Sequence, residues 1–440
     1  QVMSKDLAIP MNQAEWVVSI YLIVICALLL LFGKLGDIYG KIRVFKIGSL
    51  LFIIGSLLSG FSVGLPFLLI ARSIQAVGAA MTMSTNNGII TEVFPFKERG
   101  RALGMIGSFV ALGSIAGPGI GGLILAHLSW GYIFWINVPV GILAMILGAM
   151  ILPKDVTTTQ QPLDKTGAGL FAVLMVALFA GVFIGQQIGF LQPVILALFA
   201  VAIVTLIIFV RVELRHENPL LALQLFKNAR FSISILCALL IFIANFFFNV
   251  IAPFYLENAR GLAANYAGYA LMVFPIVQVV VAPIAGTISD KIGPELLTFV
   301  GLVLISISKV GYMVVGLATP LWFFLLFVGL VGFGNGIFMA PNNSIVMSSV
   351  AVKDLGVAGG INALARELGM IVGISVATTV LYSAMSQSAG YKVTSYLPAH
   401  PEIFIDGMHI AFVVSLGICL VATVITGGRL LKHRRTAPAK

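Results

Sequence analysis

The sequence predicts an all-α polytopic membrane protein, and three observations carry that assignment. Of 440 residues, 60% are hydrophobic and 10% charged, with a mean hydropathy of +1.08. No soluble core absorbs that much apolar surface. Thirteen apolar runs each reach the length, about 20 helical residues, that crosses about 30 Å of hydrocarbon. The cations gather in alternate short loops between these runs, as membrane topology requires. That distribution also excludes nucleic acid as the destination of the net charge of +10.

In order, the runs fall near 16–32, 44–62, 66–90, 102–125, 131–152, 166–185, 190–210, 230–254, 265–286, 296–317, 321–346, 358–384 and 408–428. One side of the membrane receives Lys34, Lys41, Arg43, Lys46, Lys97, Arg99, Arg101, Lys154, Lys165, Arg211, Arg215, Lys227, Arg230, Lys291, Lys353 and the tail cations. The other receives Lys5, Arg260 and Lys392. The first side is expected to be cytoplasmic and to hold the C-terminus, in a plasma membrane. Thirteen spans then put the N-terminus outside, although Gln1–Glu15 lacks the apolar core of a signal peptide. The simplest expectation is one further helix before Gln1, fourteen in all.

The fourth run contains GSIAGPGIGG at 113–122. Gly113, Gly117 and Gly121 recur every fourth residue, giving one smooth helix face that a neighbouring backbone can approach; Gly122 extends it. Pro118 is expected to kink the helix, and Gly/Pro-interrupted helices mark transport sites.

Between the first two runs stands GKLGDIYGKIR at 33–43. Its glycines predict a tight turn, with Asp37 near the N-terminus of the following helix and basic residues at the anionic leaflet. A second copy, GTISDKIG, lies at 286–293. The repeat predicts two pseudo-symmetric six-helix halves, 1–152 and 230–440, with two extra helices and linkers at 153–229 between them.

These residues carry a resemblance. GKLGDIYGKIR resembles motif A of the major facilitator superfamily, GSIAGPGIGG its antiporter motif C, and RSIQAVGAA at 72–80 its motif B. WGYIFWINVPVG at 130–141 is similar to a stretch of the fourteen-helix drug:proton antiporters. The resemblance spans the chain and implies the major facilitator fold and export by alternating access. Ile38, Ala76 and Gly131 depart from the family's pattern, and the family's first helix with its frequent acid is not in the sequence.

Charges inside a bilayer are functional candidates by default. Glu367, Arg366 and Arg72 are candidates for proton coupling, with Arg366 and Glu367 about 100° apart on their helix and so not bound to pair. Lys309 reads instead as a snorkelled or structural lysine. Gly33, Asp37, Gly40, Arg43 and Asp290 are candidates for a cytoplasmic gate. Tyr21, Met81, Phe134, Asn137, Asn245, Phe248, Asn249, Gln278 and Asn342 are proposed to line a substrate cavity, with Asn335 among further asparagines. Residues 385–407 form the longest outer loop.

There is no nucleophile–base pairing, no metal-ligand spacing and no phosphate-binding loop, so neither catalysis nor a cofactor is expected. Cys26, Cys237 and Cys419 are too scattered for a disulfide framework. The expected function is proton-coupled export of lipophilic, cationic drugs by a monomer whose partners are small-molecule substrate, protons and lipid. The alternative is export of an endogenous metabolite or osmolyte; a non-transporting membrane receptor or enzyme ranks below both.

Overall fold

The apolar runs of the sequence form helices, and among the described residues thirteen are long. They are α1 (Trp16–Tyr39), α2 (Lys41–Ser59), α3 (Leu65–Val93), α4 (Arg99–His127) and α5 (Tyr132–Ile151, interrupted at Ile136), followed by α6 (Lys165–Ile188) and α7 (Pro193–Arg215). The rest are α8 (Ala229–Phe254), α9 (Ala264–Ile292), α10 (Pro294–Met313), α11 (Leu321–Ser348), α12 (Leu355–Ala389) and α13 (Pro401–Thr436). The computed structural model describes residues 3–436 except 4, 5, 8, 10, 62, 156–161, 222, 392, 394 and 395. Among the described residues there is no strand, and twelve helices are long and apolar enough to cross a membrane. The thirteenth, α4, is 29 residues long.

Several helices overrun their apolar runs. α1 continues to Tyr39, and α12 covers Leu355–Ala389. A helix satisfies its own backbone whatever its side chains, so polar turns extend it past the hydrocarbon. The turn expected over 33–43 therefore shrinks to Gly40, whose φ of 105° favours glycine. Gly293, with φ 90°, repeats that break between α9 and α10. The outer loop is shorter than expected too. It ends at Pro401, Val393 donates its N–H to Ser386 Oγ at 2.9 Å, and Tyr396 packs edge-on against Phe404.

The chain divides into two compact units. The first combines Gln1–Val93, Gly119–Asn228 and Val350–Leu364; the second combines Phe94–Pro118, Ala229–Ser349 and Ala365–Lys440. α4 and α12 each change unit along their length. In the first unit α2 packs on α3 where a Cβ on Gly78 would come within 2.5 Å of the Gly48 carbonyl. In the second, α10 meets α11 at Gly301 and Gly334 in the same manner. Side-chain-free contacts of this kind let dispersion hold helices together where lipid removes the hydrophobic drive. α5 turns Val140, Met150 and Ile151 outward, as a lipid-facing helix does.

Candidate functional site

Asp37 lies in the last turn of α1, where the helix dipole disfavours an anion. Two backbone donors and a cation outweigh that cost. Its carboxylate accepts the N–H of Gly356 at 2.8 Å and of Val357 at 2.9 Å, at the N-terminus of α12, and lies 3.2 Å from Lys41 Nζ. Hydrogen bonds to a buried carboxylate contribute roughly 1.5–3 kcal/mol each. Lys41 also reaches Glu92 Oε2 at 3.3 Å.

The second unit repeats the arrangement. Asp290 accepts from Gly100 N at 2.8 Å and Arg101 N at 2.9 Å, at the start of α4. Gly33 against Gly356, and Gly286 against Gly100, leave no room for a Cβ.

Two expectations are corrected. Asp37 does not cap the helix that follows it; α2 is capped by Asp155, which accepts from Ile42 N at 2.8 Å and Arg43 N at 2.9 Å and occupies the space beside Gly40. Arg43 takes part through that backbone N–H, while its side chain is exposed. Sequence reasoning missed Asp155, Gly356 and Gly100. A signal was present for the last two: Lys97-Glu98-Arg99-Gly100-Arg101-Ala102 and Lys353-Asp354-Leu355-Gly356-Val357-Ala358 are copies of one another. Each places a short 3₁₀ turn before the helix start that an aspartate caps.

Arg72 is bound inside the first unit. Its Nε donates to the Val17 carbonyl at 3.0 Å and Nη1 to Gln75 Oε1, whose own Nε2 donates to Ser56 at 2.8 Å. The guanidinium sits 4.0 Å from the Tyr21 ring and 5.4 Å from the Phe134 ring. Trp130 stands edge-on to Phe134 and donates to Asp6 at 2.7 Å. Three predicted residues are thus brought together in the first unit around one cation.

Glu367 is buried, and Arg366 Nε does pair with it, at 3.3 Å. Their side chains, though 100° apart on the helix, are long enough to meet. Lys309 is not snorkelled: α10 packs between α11 and α13, which leaves Lys309 fully buried and its Nζ without a hydrogen-bond partner among the described residues.

The cavity candidates separate into groups. Asn245 donates to Asn335 at 2.7 Å, and Phe248 stacks on Tyr312 with centroids 5.4 Å apart. Asn249 is exposed and donates to the Asn245 carbonyl at 3.2 Å, and Gln278 is half-buried on α9. Asn342 is committed to the Ser234 carbonyl at 3.1 Å, and Met81 is packed against Gly48. Asn137 bonds back to the Ile133 carbonyl at 3.4 Å. Tyr312, which composition gave no reason to single out, joins Phe248, Phe324 and Phe412 in one aromatic cluster.

In the glycine-rich stretch at 113–122 the expected close approach is not found among the described residues. α4 runs unbroken, and among the described residues nothing lies within 4 Å of a Cβ built on Gly113, Gly117 or Gly121. Small residues permit contact without specifying a partner. The side-chain surroundings of Pro118 and Gly122 lie outside the described residues.

The sequence pattern of the Major Facilitator Superfamily matches residues 1–374. The chain is 32% identical over 424 residues to the riboflavin transporter RibZ of Clostridioides difficile, covering 96% of this chain and 90% of that protein. It is 30% identical over 414 residues to multidrug resistance protein 3 of Bacillus subtilis, covering 90% and 80% respectively. Among solved structures, the proton:xylose symporter XylE superposes with a TM-score of 0.65 at 14% identity, covering 96% of this chain and 88% of that one.

Proposed function

The chain belongs to the Major Facilitator Superfamily; it is a multi-pass membrane transporter rather than an enzyme, and from that premise we propose that it exports lipophilic, aromatic, cationic small molecules by alternating access, driven by inward proton flow. One observation carries the coupling: Glu367 is a buried carboxylate in a membrane helix, held by Arg366 at 3.3 Å. A carboxylate so placed takes up a proton when its cation moves away and releases it when the cation returns. The half-buried Tyr21 ring at Arg72 suits flat aromatic ligands, whereas the cluster around Tyr312 is closed core. Alternating access would exchange the helix-end clamps at Asp37 and Asp290 between made and broken states. On this reading the excess of cations in alternate loops makes the side with the clamps and the C-terminus cytoplasmic, and one subunit suffices.

A second reading has support of its own. The similarity to a riboflavin transporter favours a flat heteroaromatic metabolite as the cargo. Everted vesicles carrying the full-length protein decide between the two. Efflux of a cationic dye that needs a proton gradient supports drug export; gradient-dependent movement of riboflavin alone supports the metabolite. Dye movement insensitive to an uncoupler rejects proton coupling.

A further inference from the structure

α6 and α7 pack against each other and α6 against α1, and where α6 begins and α7 ends two carboxylates meet. Asp164 and Glu213 are 2% and 3% exposed. Asp164 is the N-cap of α6: Oδ1 accepts the Gly167 N–H at 2.8 Å. Glu213 Oε2 accepts the Leu221 N–H at 2.8 Å and so ties the chain beyond α7 back onto the helix end. The remaining oxygens, Asp164 Oδ2 and Glu213 Oε1, have no hydrogen-bond partner among the described residues.

Those two oxygens point at one spot. A Cβ on Gly167 would lie 2.3 Å from Glu213 Oε1 and 2.4 Å from Asp164 Oδ2, so the oxygens are no further apart than those distances together, 4.7 Å. Two buried carboxylates facing each other this closely cannot both be ionised without a positive charge between them. The cations nearby do not supply it. Lys165, Arg211 and Arg215 are exposed, and Lys34 on α1, though buried, is not bonded to either oxygen. His216, itself exposed, reaches the other oxygen of Asp164, with Nε2 3.9 Å from Oδ1. A metal ion needs more ligands than two oxygens.

We infer that Asp164 and Glu213 share one proton and form a proton-binding site in the two-helix insert, separate from the helix-end clamps and from Glu367. The N-terminal donors of α6 stabilise the charge on Asp164, which makes Glu213 the protonated partner. Its Oε1–H donates to Asp164 Oδ2, while its Oε2 holds Leu221. When the proton leaves to water, two anions face each other and the segment after α7 is released. The site thereby makes the attachment of residues 216–221 sensitive to pH on that side of the membrane.

The sign follows from proton counting. The closed arrangement binds one proton more than the open one, so raising the pH favours opening. Hydrogen exchange at the Leu221 amide, measured on the full chain in lipid nanodiscs and corrected for intrinsic chemical rates, reads this directly. Protection in the wild type should fall about tenfold per pH unit across the titration of one proton. Glu213→Gln, neutral at every pH, should stay protected and flat. A flat wild-type profile overturns the site. An unchanged pH step in Glu213→Gln assigns the effect to His216 and overturns it equally, and a change in protection with sodium at fixed pH replaces the proton by a cation. Should Glu213→Gln not fold, Asp164→Asn serves: removing the facing anion has to move the step to lower pH, and an unmoved step rejects the pair.

Discussion

Asp37 grips Gly356 across 319 residues of sequence: the carboxylate at the end of α1 accepts the 2.8 Å hydrogen bond that starts α12. Asp37→Asn keeps the size but turns one acceptor into a donor facing the Val357 N–H. The lost and unsatisfied bonds should cost about 1–3 kcal/mol. Transport is expected to fall several-fold while expression persists, and exchange at Gly356 and Val357 should speed up. Wild-type transport with unchanged exchange would remove Asp37 from the gate.

Gly356 itself tolerates no side chain. A Cβ there would sit 2.2 Å from the Gly33 carbonyl and 2.8 Å from Asp37 Oδ1, so Gly356→Ala should destabilise by about 1–3 kcal/mol. Gly113→Ala, where no described residue lies within 4 Å of the added Cβ, should be neutral or gain up to about 1 kcal/mol from helix propensity. Thermal denaturation of the two variants in detergent tests the contrast. Equal melting points would mean that the contacts at Gly356 relax freely.

For Arg72 the question is shape against charge. Arg72→Lys keeps the cation but loses the planar group over Tyr21 and the fork that serves both Val17 and Gln75. Loss of the ring contact alone is worth about 0.5–2 kcal/mol. Transport should drop several-fold in Arg72→Lys and nearly as far in Tyr21→Leu. If Arg72→Lys transports normally, only the charge matters and the aromatic cradle is incidental.

Glu367→Gln removes the carboxylate that Arg366 holds and leaves the helix otherwise unchanged. Substrate added to the detergent-solubilised wild type should release protons, and the variant should release fewer. Equal release from both would make Glu367 a structural ion-pair partner and place the coupling proton elsewhere.

Composition and hydropathy alone determined the class of this protein, its thirteen long helices and their approximate order, because a backbone in lipid has no alternative to satisfying itself within the helix. The repeated Gly-x-x-x-Asp pattern at 33–37 and 286–290 likewise marked both clamp aspartates. What each aspartate holds was decided only in three dimensions. Asp37 and Gly356 are far apart in sequence, and a carboxylate fits any helix N-terminus equally well, so local chemistry could not choose α12 over α2. The same limit explains Gly113 and Gly117, whose smooth face says that a helix could approach but not that one does. It also explains Lys309, where hydropathy cannot distinguish a helix edge in lipid from one enclosed by α11 and α13. Helix formation is local, and the sequence states it; the pairing of helix faces depends on the whole packed unit, which only the tertiary structure resolves.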